Sequence, residues 1–199
     1  MEVSGIGLHT GASVRVIARP AAASEGVYFV RTDLGGEPRI AASLDSVTDT
    51  RLSTTLGVGD SAGAASVRTV EHLLAALCGA GVSSCTVALD AQELPILDGS
   101  SAPWLKLIRA AGLAPTASPP EALAPRAPVW AAHGDAWVVA MPAAAPRLTY
   151  TIDFGAFAPI GRQSFSFCVH GPPPTGRSVG AAHTDGSRAG VGPAADALI

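Results

Sequence analysis

The apolar positions of this chain follow two periods. Within residues 66–78 (SVRTVEHLLAALC), Val70, Leu73, Leu74 and Leu77 fall at i, i+3, i+4 and i+7, one stripe of an amphipathic helix. Ser66 is the expected N-cap of that helix, and Gly79-Ala80-Gly81 its stop. A second helix is expected after the Asp98-Gly99-Ser100 turn, capped by Ser100 or Ser101 and with Pro103 tolerated in its first turn. Its stripe is Trp104, Leu107, Ile108 and Ala111, and Gly112 ends it. Short β-branched or aromatic runs read as strands at 14–17, 27–31, 40–44, 49–56 and 85–89, with a further extended piece at 94–97. Four or five strands with two late helices make the first part an α+β layer fold.

Beyond it, residues 114–128 carry Pro115, Pro119, Pro120, Pro125 and Pro128 and little that packs, so they read as a semi-rigid linker. Strand candidates resume at 129–131, 137–141, 148–154 and 163–169, the start of a second β-containing unit. From Gly171 to Ile199 neither period survives. Six Gly and four Pro in those 29 residues leave too little apolar surface to offset ordering entropy, so the tail is expected to be disordered. The expected organisation is therefore a first domain at 1–113, a linker at 114–128, an incomplete second domain at 129–169 and a tail at 170–199.

Composition narrows the function classes. Of 199 residues, 48% are hydrophobic and 15% charged, which fits a globular chain rather than a disordered one. A formal charge of −3, with Lys106 the only lysine, gives no electrostatic footprint for nucleic acid. The longest apolar runs are near ten residues, too short for a transmembrane segment. Met1–Gly11 has neither a basic nor an apolar signal region, so no targeting segment is expected. Cys78, Cys85 and Cys168 form no CxxC pair and read as small buried thiols of a reducing compartment.

Chemistry has few places to sit. Glu71 and His72 are adjacent on the first expected helix, about 100° apart around its axis, beside its apolar stripe. They do not form HExxH, since position 76 is Ala. A catalytic zinc wants about three protein ligands. No His has an Asp one turn on, because Ser13, Ala76, Trp137, Pro174 and Ser187 occupy those positions. There is no GxSxG elbow, and Cys78 reads as core. SGIGLHTG is not GxGxxG opening a helix, so a dinucleotide site is not expected. His9 reads as a structural hydrogen-bonder in that loop and Asp98 as a turn residue. His133, His170 and His183 read as solvated.

Five segments in order, SGIGLHTG (4–11), DTRLSTTL (49–56), VRTVEHLLAAL (67–77), LPILDGSSAPW (94–104) and TIDFGAFAPIGRQSFSF (151–167), resemble the UDP-3-O-acyl-N-acetylglucosamine deacetylase family, the zinc amidases of lipid A biosynthesis. The resemblance covers roughly residues 3–169. It implies two similar domains, each a sheet packed on a helix pair, with the active site between them and the second domain incomplete here. It implies Zn2+ as cofactor, Glu71 as general base and His72 as a metal ligand. Zinc lowers the pKa of its bound water and polarises the acetamide carbonyl, and a neighbouring carboxylate can take the proton of the attacking water. Leu52, Ser53 and Thr54 are expected, by position, to line the substrate passage.

The reaction implied is hydrolysis of the N-acetyl group of UDP-3-O-acyl-N-acetylglucosamine with release of acetate, by a monomer. The match stops near Val169. The family's other two zinc ligands, a His and an Asp one turn apart, and its second catalytic His lie beyond that point. The chain therefore reads as truncated and inactive alone. The alternative is a non-catalytic fragment or binding domain retaining only the first half of the fold. GDAWVVAMPA (134–143) and FAPIG (157–161) resemble the plant and algal branch. Localisation is then mitochondrial, against cytoplasmic for a bacterial member.

Overall fold

A computed structural model describes residues 1–59, 65–115, 124–155 and 159–168. The expected tail at 170–199 and the middle of the expected linker lie outside the described residues. The architecture is α+β. Glu2–Ile6 (β1), Ser13–Pro20 (β2), Val27–Arg31 (β3), Arg39–Ala41 (β4) and Cys85–Leu89 (β8) form a five-stranded sheet in the order β1-β2-β8-β3-β4. All its pairs are antiparallel except β3 with β8. That parallel pair needs a long crossover. The connection carries Val47–Asp49 (β5), Thr55–Val58 (β6) and Ala65–Arg68 (β7), an antiparallel three-stranded sheet, and then the helix Glu71–Ala80 (α1). Ala102–Ala111 (α2) packs against α1.

The period-2 positions Val14, Val16, Phe29, Val87 and Leu89 point inward and meet Leu56 and Val67 of the small sheet. Val70 at the N-cap of α1, Leu73 and Leu77 within it, and Trp104, Leu105 and Ile108 of α2 complete the core. Arg31 joins the two sheets from within. Its guanidinium makes a bidentate pair with Asp33 and donates to the Ser66 carbonyl oxygen at 2.6 Å. That pairing holds the Asp33 carboxyl below its ordinary range.

Four expectations change. Ser66 is not an N-cap; it lies inside β7, where Ala65 and Val67 alternate inward, and the helix starts five residues later. Residues 49–56 are not one strand; β5 and β6 pair antiparallel across a turn at 50–54. The α2 face is rotated: Trp104, Leu105 and Ile108 are buried while Ala111 is exposed, because the chain leaves the core at the C-terminal turn. Among the cysteines only Cys85 is buried. Cys78 looks outward from the last turns of α1 and Cys168 ends an open strand.

Gly81 closes α1 as expected, at φ 75°, with its N–H donating to the Cys78 carbonyl oxygen. A side chain meets no steric obstacle there, so the backbone conformation alone sets the penalty. Gly81→Ala is expected to cost about 1 kcal/mol, a Tm drop of about 2–4 °C in a thermal melt.

Residues 124–155 and 159–168 contain two further antiparallel strand pairs. Val129–His133 (β9) pairs with Ala136–Ala140 (β10), and all ten residues are exposed. Arg147–Asp153 (β11) pairs with Arg162–Cys168 (β12). One face carries Leu148, Tyr150, Ile152, Phe165 and Phe167; the other is a hydroxyl ladder, Thr149–Ser166 and Thr151–Ser164, each 2.8 Å. Among the described residues no helix is long and apolar enough to cross a membrane.

Candidate active site

Glu71 and His72 occupy the first turn of α1, both buried, on the wall of a cleft of about 360 Å³. The other lining residues come from three loops: Leu8 and His9 after β1, Leu52 in the β5–β6 turn, and Ile96, Leu97, Asp98 and Gly99 before α2. Thr69, the residue linking β7 to α1, completes the wall.

Backbone conformation marks the same place. Four non-glycine residues among those described have positive φ, and three of them, Leu52 (63°), Thr69 (60°) and Leu97 (55°), line this cleft. A left-handed conformation costs an L-residue about 1–2 kcal/mol, and for β-branched Thr69 it is a marked outlier. Strain of this kind concentrates where the surrounding structure must hold a particular geometry.

The β5–β6 turn is tied to the helix. The Thr54 N–H donates to Glu71 Oε2 at 3.0 Å, and the Val70 N–H donates to the Thr54 carbonyl oxygen at 3.4 Å. One carboxylate oxygen of Glu71 is thereby fixed, and among the described residues the other accepts no hydrogen bond. Ser53 is buried and its Oγ accepts from Arg68 Nε at 2.7 Å, so its hydroxyl braces β7. Leu52 stands at the rim, 71% exposed. Arg51 clamps Asp49 at the base of the turn, and the hydrogen bonds from its side chain and N–H bring the Asp49 carboxyl down to about 2.

His9, expected as a structural hydrogen-bonder, and Asp98, expected as a turn residue, both reach the cleft wall beside Glu71 and His72. Asp98 does hold a turn as well. Its Oδ1 accepts from the Ser100 N–H and hydroxyl, and Ser100 Oγ in turn accepts from the Ala102 N–H at the start of α2.

Glu93 carries no sequence pattern of its own, and among the described residues it is the most deeply buried carboxylate, 1% exposed. Its oxygens accept from the His9 N–H (3.0 and 3.1 Å), the Thr10 N–H (2.7 Å) and the Thr69 hydroxyl (2.9 Å). Burial pushes its pKa up, but these donors outweigh burial and leave it below the ordinary value. The only available signal was its place between two strand-like pieces in a chain with few acids.

Zinc, the cofactor the sequence resemblance implies, can be tested against the donor set. His72 offers an imidazole and Glu71 a carboxylate. Among the described residues, however, no group of three or more His, Cys, Asp or Glu side chains is close enough to hold a metal ion. The described part of the chain does not make a whole zinc site.

The profile of the UDP-3-O-acyl N-acetylglycosamine deacetylase (LpxC) family matches residues 1–184. A UDP-3-O-acyl-N-acetylglucosamine deacetylase of Thermosynechococcus vestitus is 48% identical over 164 residues, 82% of this chain and 56% of the relative. Proteins of the same description from Trichormus variabilis and Nostoc sp. are 45% identical (82% of this chain, 58% of the relative) and 42% identical (86% and 60%). The chain thus spans little more than half the length of these curated relatives.

Proposed function

The chain belongs to the UDP-3-O-acyl N-acetylglycosamine deacetylase family, and from that premise we propose that it carries the general-base half of a zinc-dependent amide hydrolase site acting on UDP-3-O-acyl-N-acetylglucosamine in lipid A biosynthesis. In this reading residues 1–113 are the first of two domains, 114–128 a linker and 129–169 part of the second. The observation that carries it is the joint placement of Glu71 and His72 on a cleft that gathers three strained residues.

The roles follow from what this chain's residues do. The free oxygen of Glu71 takes the proton of the attacking water while Thr54 holds the other oxygen still. His72, one residue on, is the metal-ligand position of this half-site. Leu52 at the rim borders the passage by which the nucleotide sugar enters, while Ser53 and Thr54, which do not line the cleft, brace the turn behind it. The donor set favours one further reading: with no three-ligand cluster among the described residues, the chain alone is a non-catalytic fragment.

Two assays separate these. A chimera in which residues 1–113 replace the matching part of the Thermosynechococcus vestitus relative is expected to bind zinc and release acetate from the nucleotide sugar. A folded, zinc-loaded chimera with no acetate release rejects the proposed roles. The purified chain by itself is expected to hold no stoichiometric zinc; stoichiometric zinc with acetate release would reject the fragment reading.

A further inference from the structure

Glu93 has no place in the chemistry above, and its surroundings are those of a clamp. Three donors from two separate segments converge on it, and no cationic side chain pairs with it among the described residues. On one side is the loop carrying His9, pressed so close that a Cβ on Gly7 would sit 2.6 Å from Glu93 Oε2. On the other side is Thr69, whose hydroxyl it accepts. Glu93 itself is fixed beside Thr69, since the Arg68 N–H donates to the Gln92 carbonyl oxygen and the Leu94 N–H to the Arg68 carbonyl oxygen.

Thr69 is the joint between β7 and α1, and its φ of 60° is a conformation its own side chain disfavours. The apolar stripe is compatible with a helix running unbroken from Ser66. The break at Thr69 instead starts α1 at Glu71, with Glu71 and His72 in its first turn. A one-residue slip of that start would swing both side chains by about 100° around the axis. The hydroxyl bond to Glu93 is the tertiary contact that opposes such a slip at Thr69 itself.

We propose that Glu93 is a positioning residue: by holding Thr69 in the left-handed conformation, it aims Glu71 and His72 at the cleft. This rests on the half-site reading for its catalytic meaning, but its geometry is testable without turnover. In the 15N-labelled full chain, Glu93→Gln is expected to shift the amide signals of His9 and Thr10 and also those of Glu71 and His72, leaving β2 and β8 unchanged. Adding Thr69→Gly, which adopts positive φ freely, is expected to return the Glu71 and His72 signals to their wild-type positions while those of His9 and Thr10 stay displaced.

Shifts confined to His9 and Thr10, or a double variant in which Glu71 and His72 do not return, overturn the proposal. If Glu93→Gln does not fold, a folded double variant supports it and an unfolded one overturns it. In the chimera, the same pair is expected to lose and then regain kcat with KM little changed. A chimera inactive in every form rejects the hydrolase reading and leaves the spectroscopic result standing by itself.

Discussion

In the active chimera, Glu71→Gln is expected to lower kcat for acetate release by about two to four orders of magnitude, the usual contribution of a positioned general base. The substitution isolates the proton acceptor. Gln keeps the length of the side chain and a carbonyl oxygen that can still accept from the Thr54 N–H, so the tie between the β5–β6 turn and α1 survives. What is lost is the second oxygen's capacity to take a proton. That capacity matters only as the water attacks, so kcat and kcat/KM should fall together with KM little changed. Steady-state assays with matched thermal melts read this directly. A loss below tenfold in a well-folded variant would move the base elsewhere, with His9 and Asp98 on the same wall as the next groups to test.

The α+β character and most elements were legible because each rests on local information. Val14 and Val16 alternate with polar neighbours, residues 27–31 and 85–89 are apolar and bounded by turns, and Pro103 followed by Trp104 and Ile108 marks a helix. The helix holding Glu71 was legible in its stripe but not in its start. Ala65 and Val67 supply a two-residue alternation too short to be told from a helical period, and nothing local announces a threonine at positive φ. A tertiary bond from Glu93, 24 residues away, stabilises that break. The same limit hid His9 and Asp98. Each sits in a loop that reads as a turn, and only the packing of three loops around the α1 start brings them to one cleft. Glu71 and His72 are legible because they share a helix with a readable stripe, and the roles expected of them rest on the resemblance rather than the pattern.

Removing the Glu93 carboxylate altogether should also cost the fold. Glu93→Ala leaves the His9 and Thr10 N–H groups and the Thr69 hydroxyl without their acceptor, in a place too buried for bulk water to replace it fully. The Thr69 hydroxyl bond is buried and the two N–H bonds part-buried, so at about 1–3 kcal/mol for an unsatisfied buried donor the loss is expected to be about 2–3 kcal/mol in urea unfolding at pH 7. Its pH dependence has a definite sign. The Glu93 pKa is lowered on folding, so the protein binds that proton less readily folded than unfolded. Stability from the ionised carboxylate is then fully present above the unfolded pKa of about 4.3 and is lost as pH falls through the lower folded value. Wild type and Glu93→Ala should therefore differ by a constant amount from neutral pH down to about pH 5, and the gap should narrow as pH falls further. A gap that stays constant into acid would mean that the carboxyl's volume, rather than its charge and its three donors, is what holds the His9 loop to the start of α1.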